Sequence, residues 1–94
     1  MSRQAYRQKA EARIETQQAK LKEARAKAKG AAADVRLEAE KQIAALEKKI
    51  DAAKKMLSGV GDAAGDAWKD AAKALDDTWD DISGGIKKLF SRFA

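Results

Sequence analysis

Seven aspartates crowd one stretch of this chain: Asp62, Asp66 and Asp70 at i, i+4 and i+8, then Asp76, Asp77, Asp80 and Asp81. On a helix the first three would stand in a ladder along one face, an arrangement that attracts divalent cations loosely. The D-x-D-x-D-G loop of a calcium site is missing, so the ladder reads as a solvated acidic face lying against basic residues of another helix. No carboxylate pair stands beside other reactive groups, as acid–base catalysis would need. Gly59-Val60-Gly61-Asp62-Ala63-Ala64 matches G-x-G-x-x-A, but a dinucleotide loop needs a strand before it and a βαβ unit around it, so these glycines read as a hinge or turn. The chain has no Cys, His, Pro or Asn, which excludes disulfides, zinc held through Cys or His, and Ser-His-Asp or Cys-His nucleophiles. The expectation is no enzyme activity, no cofactor, no metal and no small-molecule substrate.

Three further constellations concern surfaces. Trp68 and Trp79 lie eleven residues apart, close in phase on a helix, where indoles either pack between helices or anchor at a lipid interface. Ile86 to Phe93 reads IKKLFSRF, with Ile86, Leu89, Phe90 and Phe93 on one side and Lys87, Lys88, Ser91 and Arg92 on the other, the composition of a short interfacial helix. Lys20 to Lys29 is densely basic and suited to phosphate contacts, but Glu23 interrupts it and no aromatic stacking platform adjoins it.

The elements that must position these residues are helical. Ala, Lys, Glu, Gln, Arg and Leu dominate the 94 residues, and β-branched residues never run together. Alanine supplies 22 of the hydrophobic residues, which leaves few larger apolar side chains for a self-sufficient core. The longest uncharged stretch, Met56 to Gly61, is far too short for a membrane-spanning helix, and the first residues have no apolar signal-peptide region. Residues 1–58 carry a net +7, residues 59–85 a net −5 and residues 86–94 a net +3. The basic front therefore has an acidic complement in its own chain.

At 100° per residue, nearly all the larger apolar residues fall in one arc of about 120°, and all 15 acidic residues fall outside it. Leu37 and Met56 are the internal exceptions. The seam comprises Ile14, Leu21, Val35, Ile43, Leu46, Ile50, Leu57, Val60, Trp68, Leu75, Trp79 and Ile82, and it keeps its phase through every glycine. Were the chain to reverse at Ser58–Gly61, agreement within about 20° would arise by chance roughly once in nine. The reading is therefore all-α: one long amphipathic helix or coiled coil, bent or reversed as a helical hairpin near residues 58–62. As a single unit over 1–94 it divides into a basic long helix 3–57, a hinge 58–61, an acidic Trp-bearing helix 62–82, a glycine hinge 83–85 and a basic amphipathic tail 86–93. Asp34 and Asp62 stand where N-caps would follow a glycine break. The spacing Val35, Leu46, Leu57, Trp68, Trp79, Phe90 is eleven residues, which suggests a straight or weakly right-handed coil. A helix of such length, about 135 Å, cannot leave its seam open to water; another helix, its own C-terminal half or lipid must cover it.

Gly65-Asp66-Ala67-Trp68-Lys69-Asp70, then Trp79-Asp80-Asp81 and the ending Ser91-Arg92-Phe93, resemble a group of small bacterial coiled-coil stress-response proteins. The Gly59-Val60-Gly61 and Gly84-Gly85 segments depart from that pattern. The resemblance implies a stress-associated, non-enzymatic helical protein with no catalytic residues to carry over. The leading expectation is self-association into a homo-oligomer through the twelve seam residues, in the cytoplasm. The alternative is a peripheral protein lying on an anionic membrane through Trp68, Trp79, Ile86, Lys87, Lys88, Leu89, Phe90, Arg92 and Phe93. A second alternative is weak nucleic-acid binding by the basic front.

Overall fold

The structure, a computed structural model, describes residues 2–93 and is all-α. Three helices, α1 (Arg3–Lys29), α2 (Ala33–Asp62) and α3 (Ala67–Ser91), form an up-down-up bundle. A helix of α2's 30 residues is about 45 Å long. The longest dimension of the molecule is 51 Å, so its length is that of one helix and the chain folds back twice.

Side-chain pairings give the direction of each helix. Arg25 pairs with Glu47, and Arg7 lies over Gly61, so α1 and α2 are antiparallel. Arg92 meets Glu38 at 3.9 Å and Leu46 packs on Gly85, so α3 runs antiparallel to α2 and parallel to α1.

The buried positions alternate steps of four and three. On α1 they are Ala10, Ile14, Gln17, Leu21, Ala24 and Ala28; on α2 they are Ala39, Ile43, Leu46, Ile50, Ala53, Leu57 and Val60. On α3 they are Ala72, Leu75, Ile82, Ile86 and Leu89, with half-buried Trp79 filling the gap. This is a heptad, the 3.5-residue period of a left-handed bundle, in place of the expected eleven-residue coil. The eleven-residue series skips the alanines, and the alanines decide the matter. Six of the seventeen buried hydrophobic residues are Ala, which let the helices approach closely and stretch a small set of larger residues into a complete core. Of the two residues off the arc, Met56 is partly buried against the core and takes a hydrogen bond from Thr78 Oγ1, while Leu37 is 58% exposed.

The expected boundaries need correction. The basic helix 3–57 is broken at Gly30–Ala32, where Ala32 turns to an extended conformation (ψ 153°) and N-caps α2 without a side-chain bond. Asp34 lies in the first turn of α2 and caps nothing. The hinge expected at 58–61 is helical: Leu57 and Val60 are core residues, and their burial carries α2 past both glycines to Asp62. Reversal comes instead at Ala63–Asp66, where Gly65 takes φ +55°, a conformation that disfavours any residue with a Cβ. The helix expected over 62–82 thus begins at Ala67, with Asp66, not Asp62, at its N-cap position.

The glycine hinge at 83–85 does not form either. Helix α3 runs through it because Ile82, Ile86 and Leu89 bury on one face. A Cβ on Gly85 would lie 2.7 Å from Leu46 Cδ2, whereas one on Gly84 would meet nothing within 4 Å. Gly85 is thus a close-packing position and Gly84 a solvent-facing one. Gly84→Ala is expected to raise stability by about 0.5–1 kcal/mol through helix propensity. Gly85→Ala is expected to gain less than Gly84→Ala, because Leu46 Cδ2 must move aside and that cost offsets the same helix-propensity gain. Urea titration of both variants checks the difference between the two positions.

Candidate functional site

The two ends of the bundle differ in chemistry. At the end holding the α2–α3 turn, the start of α1 closes over α3. Tyr6 lies 6.3 Å from Trp68, ring to ring, and its hydroxyl donates toward Ala72 O (2.9 Å) and Asp76 Oδ1 (2.8 Å). Burial first, and then the hydrogen bond to the Asp76 carboxylate, push the Tyr6 hydroxyl well above the ordinary tyrosine range. It therefore stays a protonated donor through neutral and mildly alkaline pH. Arg13 sits 3.6 Å from Asp76 and 6.0 Å from the Trp79 ring, and Arg3 sits 6.0 Å from the Trp68 ring. Both indoles are half-buried against α1 with a guanidinium over each. These groups clasp α1 to α3, and no cavity large enough for a ligand opens among them.

The opposite end brings together the last turns of α1 and α3 and the first turns of α2. Residues 22–41 and 84–93 hold nine of the basic residues and four acidic ones, so this end alone accounts for a net charge equal to the +5 of the whole chain. All nine basic residues are exposed. Lys27 Nζ lies 5.6 Å from the Phe90 ring, and Arg92 holds α3 against α2 through Glu38 and Gln42. With its amide oriented to accept, Gln42 takes hydrogen bonds from Arg92 Nη2 at 2.9 Å and Nε at 3.1 Å. Beside them an open cleft of about 490 Å³ is lined by Ala26, Lys27, Gly30, Ala31, Val35, Arg92 and Phe93. Exposed Leu37 and half-buried Val35, Phe90 and Phe93 supply apolar surface among the charges. Some of the lysines also complement the C-terminal dipoles of α1 (Lys27, Lys29) and α3 (Lys88).

The sequence-derived sites fall as follows. Nine seam residues, Ile14, Leu21, Ile43, Leu46, Ile50, Leu57, Val60, Leu75 and Ile82, are buried inside the chain's own bundle; Val35, Trp68 and Trp79 are half-buried. Among the described residues the seam is therefore covered within the chain's own bundle. The nine residues expected to contact lipid do not lie on one surface. Ile86 and Leu89 are core residues, and Trp68 lies the length of α3 away from Phe93. Only Lys87, Lys88, Phe90, Arg92 and Phe93 belong to the basic end. Val35, Leu37, Lys27 and Lys29 join them there, a grouping that summing charge along the sequence could not find without the positions of the turns. The aspartates do not converge: among the described residues, no group of three carboxylates is placed to hold a metal ion. Among the described residues, no helix is long and apolar enough to cross a membrane.

Comparison of the chain with protein-family models, with curated proteins and with solved structures finds no match.

Proposed function

We propose that the protein is a non-enzymatic helical bundle that docks end-on to an anionic lipid surface through its basic, Phe-bearing end. The observation that carries this reading is the segregation of charge: the net charge of the chain resides at one end of an elongated molecule, around a cleft lined by Val35 and Phe93 and beside Phe90, which lies under Lys27. Basic groups next to a membrane each contribute about 1 kcal/mol of attraction to anionic lipid, and aromatic rings among them partition into the headgroup region. The rest of the chain carries eleven basic and eleven acidic residues, with the acidic ones concentrated on α3, so it sums to zero and offers no second excess of positive charge. The resemblance of Gly65–Asp70 and Trp79–Asp81 to stress-response proteins suggests a setting for this role and nothing about its chemistry.

Vesicle co-sedimentation tests it. The chain is expected to bind vesicles rich in phosphatidylserine and to ignore purely zwitterionic ones, with binding lost as salt rises. Lys87→Ala with Lys88→Ala should weaken binding by roughly thirtyfold, about 1 kcal/mol for each charge. Equal binding to zwitterionic vesicles, or no effect of the double substitution, overturns the proposal. Preference for duplex or single-stranded nucleic acid over the vesicles at low salt would favour the phosphate-contact reading of Lys20 to Lys29 instead.

A further inference from the structure

We propose that two copies of the chain exchange α3: the Ala63–Asp66 turn straightens, α2 and α3 become one continuous helix, and each α3 occupies its place in the other copy's bundle. The occupant of the vacated groove is thus a second copy of this chain, and the seam stays buried throughout.

The first observation is one of phase. At 100° per residue, the buried faces of α1, α2 and α3 point in mean directions within about 30° of one another, counted straight through both turns. A bundle that reverses at 63–66 has no need of this, because the turn resets the helical count. A straightened α2–α3 helix requires it, since only then do Val60 and Leu75 face the same neighbours.

The turn itself supplies the second observation. Its residues are Ala63, Ala64, Gly65 and Asp66: two of the best helix-forming residues, a single glycine and no proline. Helix α3 begins at Ala67 with no side-chain capping bond from Asp66; its first turn is held by i→i−3 bonds, Ala67 N–H to Ala64 O at 3.1 Å and Lys69 N–H to Asp66 O at 3.0 Å. Continuing the helix would exchange these for the better-aligned i→i−4 ladder. The turn is instead held from outside: Arg3 Nη2 donates to Gly65 O at 3.0 Å, with a longer contact from Nη1 to Gly61 O at 3.4 Å. The local sequence prefers helix, and a tertiary clamp together with one residue at positive φ keeps the hairpin closed.

The full-length Gly65→Ala variant tests this independently of lipid. Alanine is strained at φ +55° but favours a straight helix, so the dimer association constant from sedimentation velocity should rise by at least about tenfold. Spin labels at Lys48→Cys and Asp80→Cys, diluted into excess unlabelled chain, then report the path of the backbone. They lie about 48 Å apart on a continuous helix and close to the interhelical spacing of about 10 Å in the hairpin. A long distance in the dimer supports α3 exchange. A variant that stays monomeric, or a dimer that keeps the short distance, overturns it. Arg3→Ala, which removes the clamp without straining the backbone, should shift the equilibrium in the same direction and serves if Gly65→Ala does not fold.

Discussion

Ile82→Ala is expected to lower the unfolding free energy by about 3 kcal/mol and the midpoint temperature by roughly 12–24 °C. Ile82 has 0% exposure toward the middle of α3, in a core where six of the seventeen buried hydrophobic residues are alanine. In so small a core the surrounding helices relax only partly into the space left behind, so part of the cavity persists and its cost adds to the lost transfer energy. A domain of this length has about 5–15 kcal/mol to lose, so the change is a large share of the total. The control is Leu37→Ala, which removes a larger apolar side chain that is 58% exposed and should change stability by less than about 0.5 kcal/mol. Chemical denaturation followed by circular dichroism reads both. Equal losses from the two variants would mean that the three-helix core does not exist in solution.

The opposite sign is expected at Gln17. This residue occupies a heptad core position on α1, 8% exposed, between Ile14 and Leu21, and its Oε1 has no hydrogen-bond partner. A buried acceptor left without a donor costs about 1–3 kcal/mol. Gln17→Leu keeps the approximate volume while removing the polar group, and should stabilise the bundle by a similar amount. The midpoint of a urea titration should move up accordingly. No gain would mean that the Gln17 amide finds a partner in solution. A gain accompanied by a change in oligomeric state would mean that Gln17 acts as a polar register residue at a core position.

These two positions mark how far the sequence can be read. Ile82 belongs to the apolar arc and was identifiable from spacing alone. Gln17 was not, because a polar residue inside a seam cannot be told from one at its edge until the facing helices are in place. The same holds for the alanines. Ala24, Ala39 and Ala53 have 0% exposure, yet alanine is so common in this chain that nothing distinguishes these three from those on the surface. Reading only the larger residues made the core look too thin and the period look like eleven. Of the candidate site, Lys87, Lys88, Phe90, Arg92 and Phe93 were legible as a basic, aromatic segment. Their partners Lys27, Lys29, Val35 and Leu37 come from distant parts of the chain, and only folding groups them.

Local composition by itself determined that this chain is helical and which face of each helix would be hidden. Propensity acts residue by residue, and the amphipathic arc survives any arrangement of the helices. Only the tertiary structure decided where the chain turns back. Alanine and its neighbours favour helix through Ala31–Ala32 and Ala63–Ala64 almost as well as elsewhere, so the local signal for a turn is weak. What selects the reversals is burial: three seams of similar length cover one another when the chain folds twice, and none is covered while it stays extended.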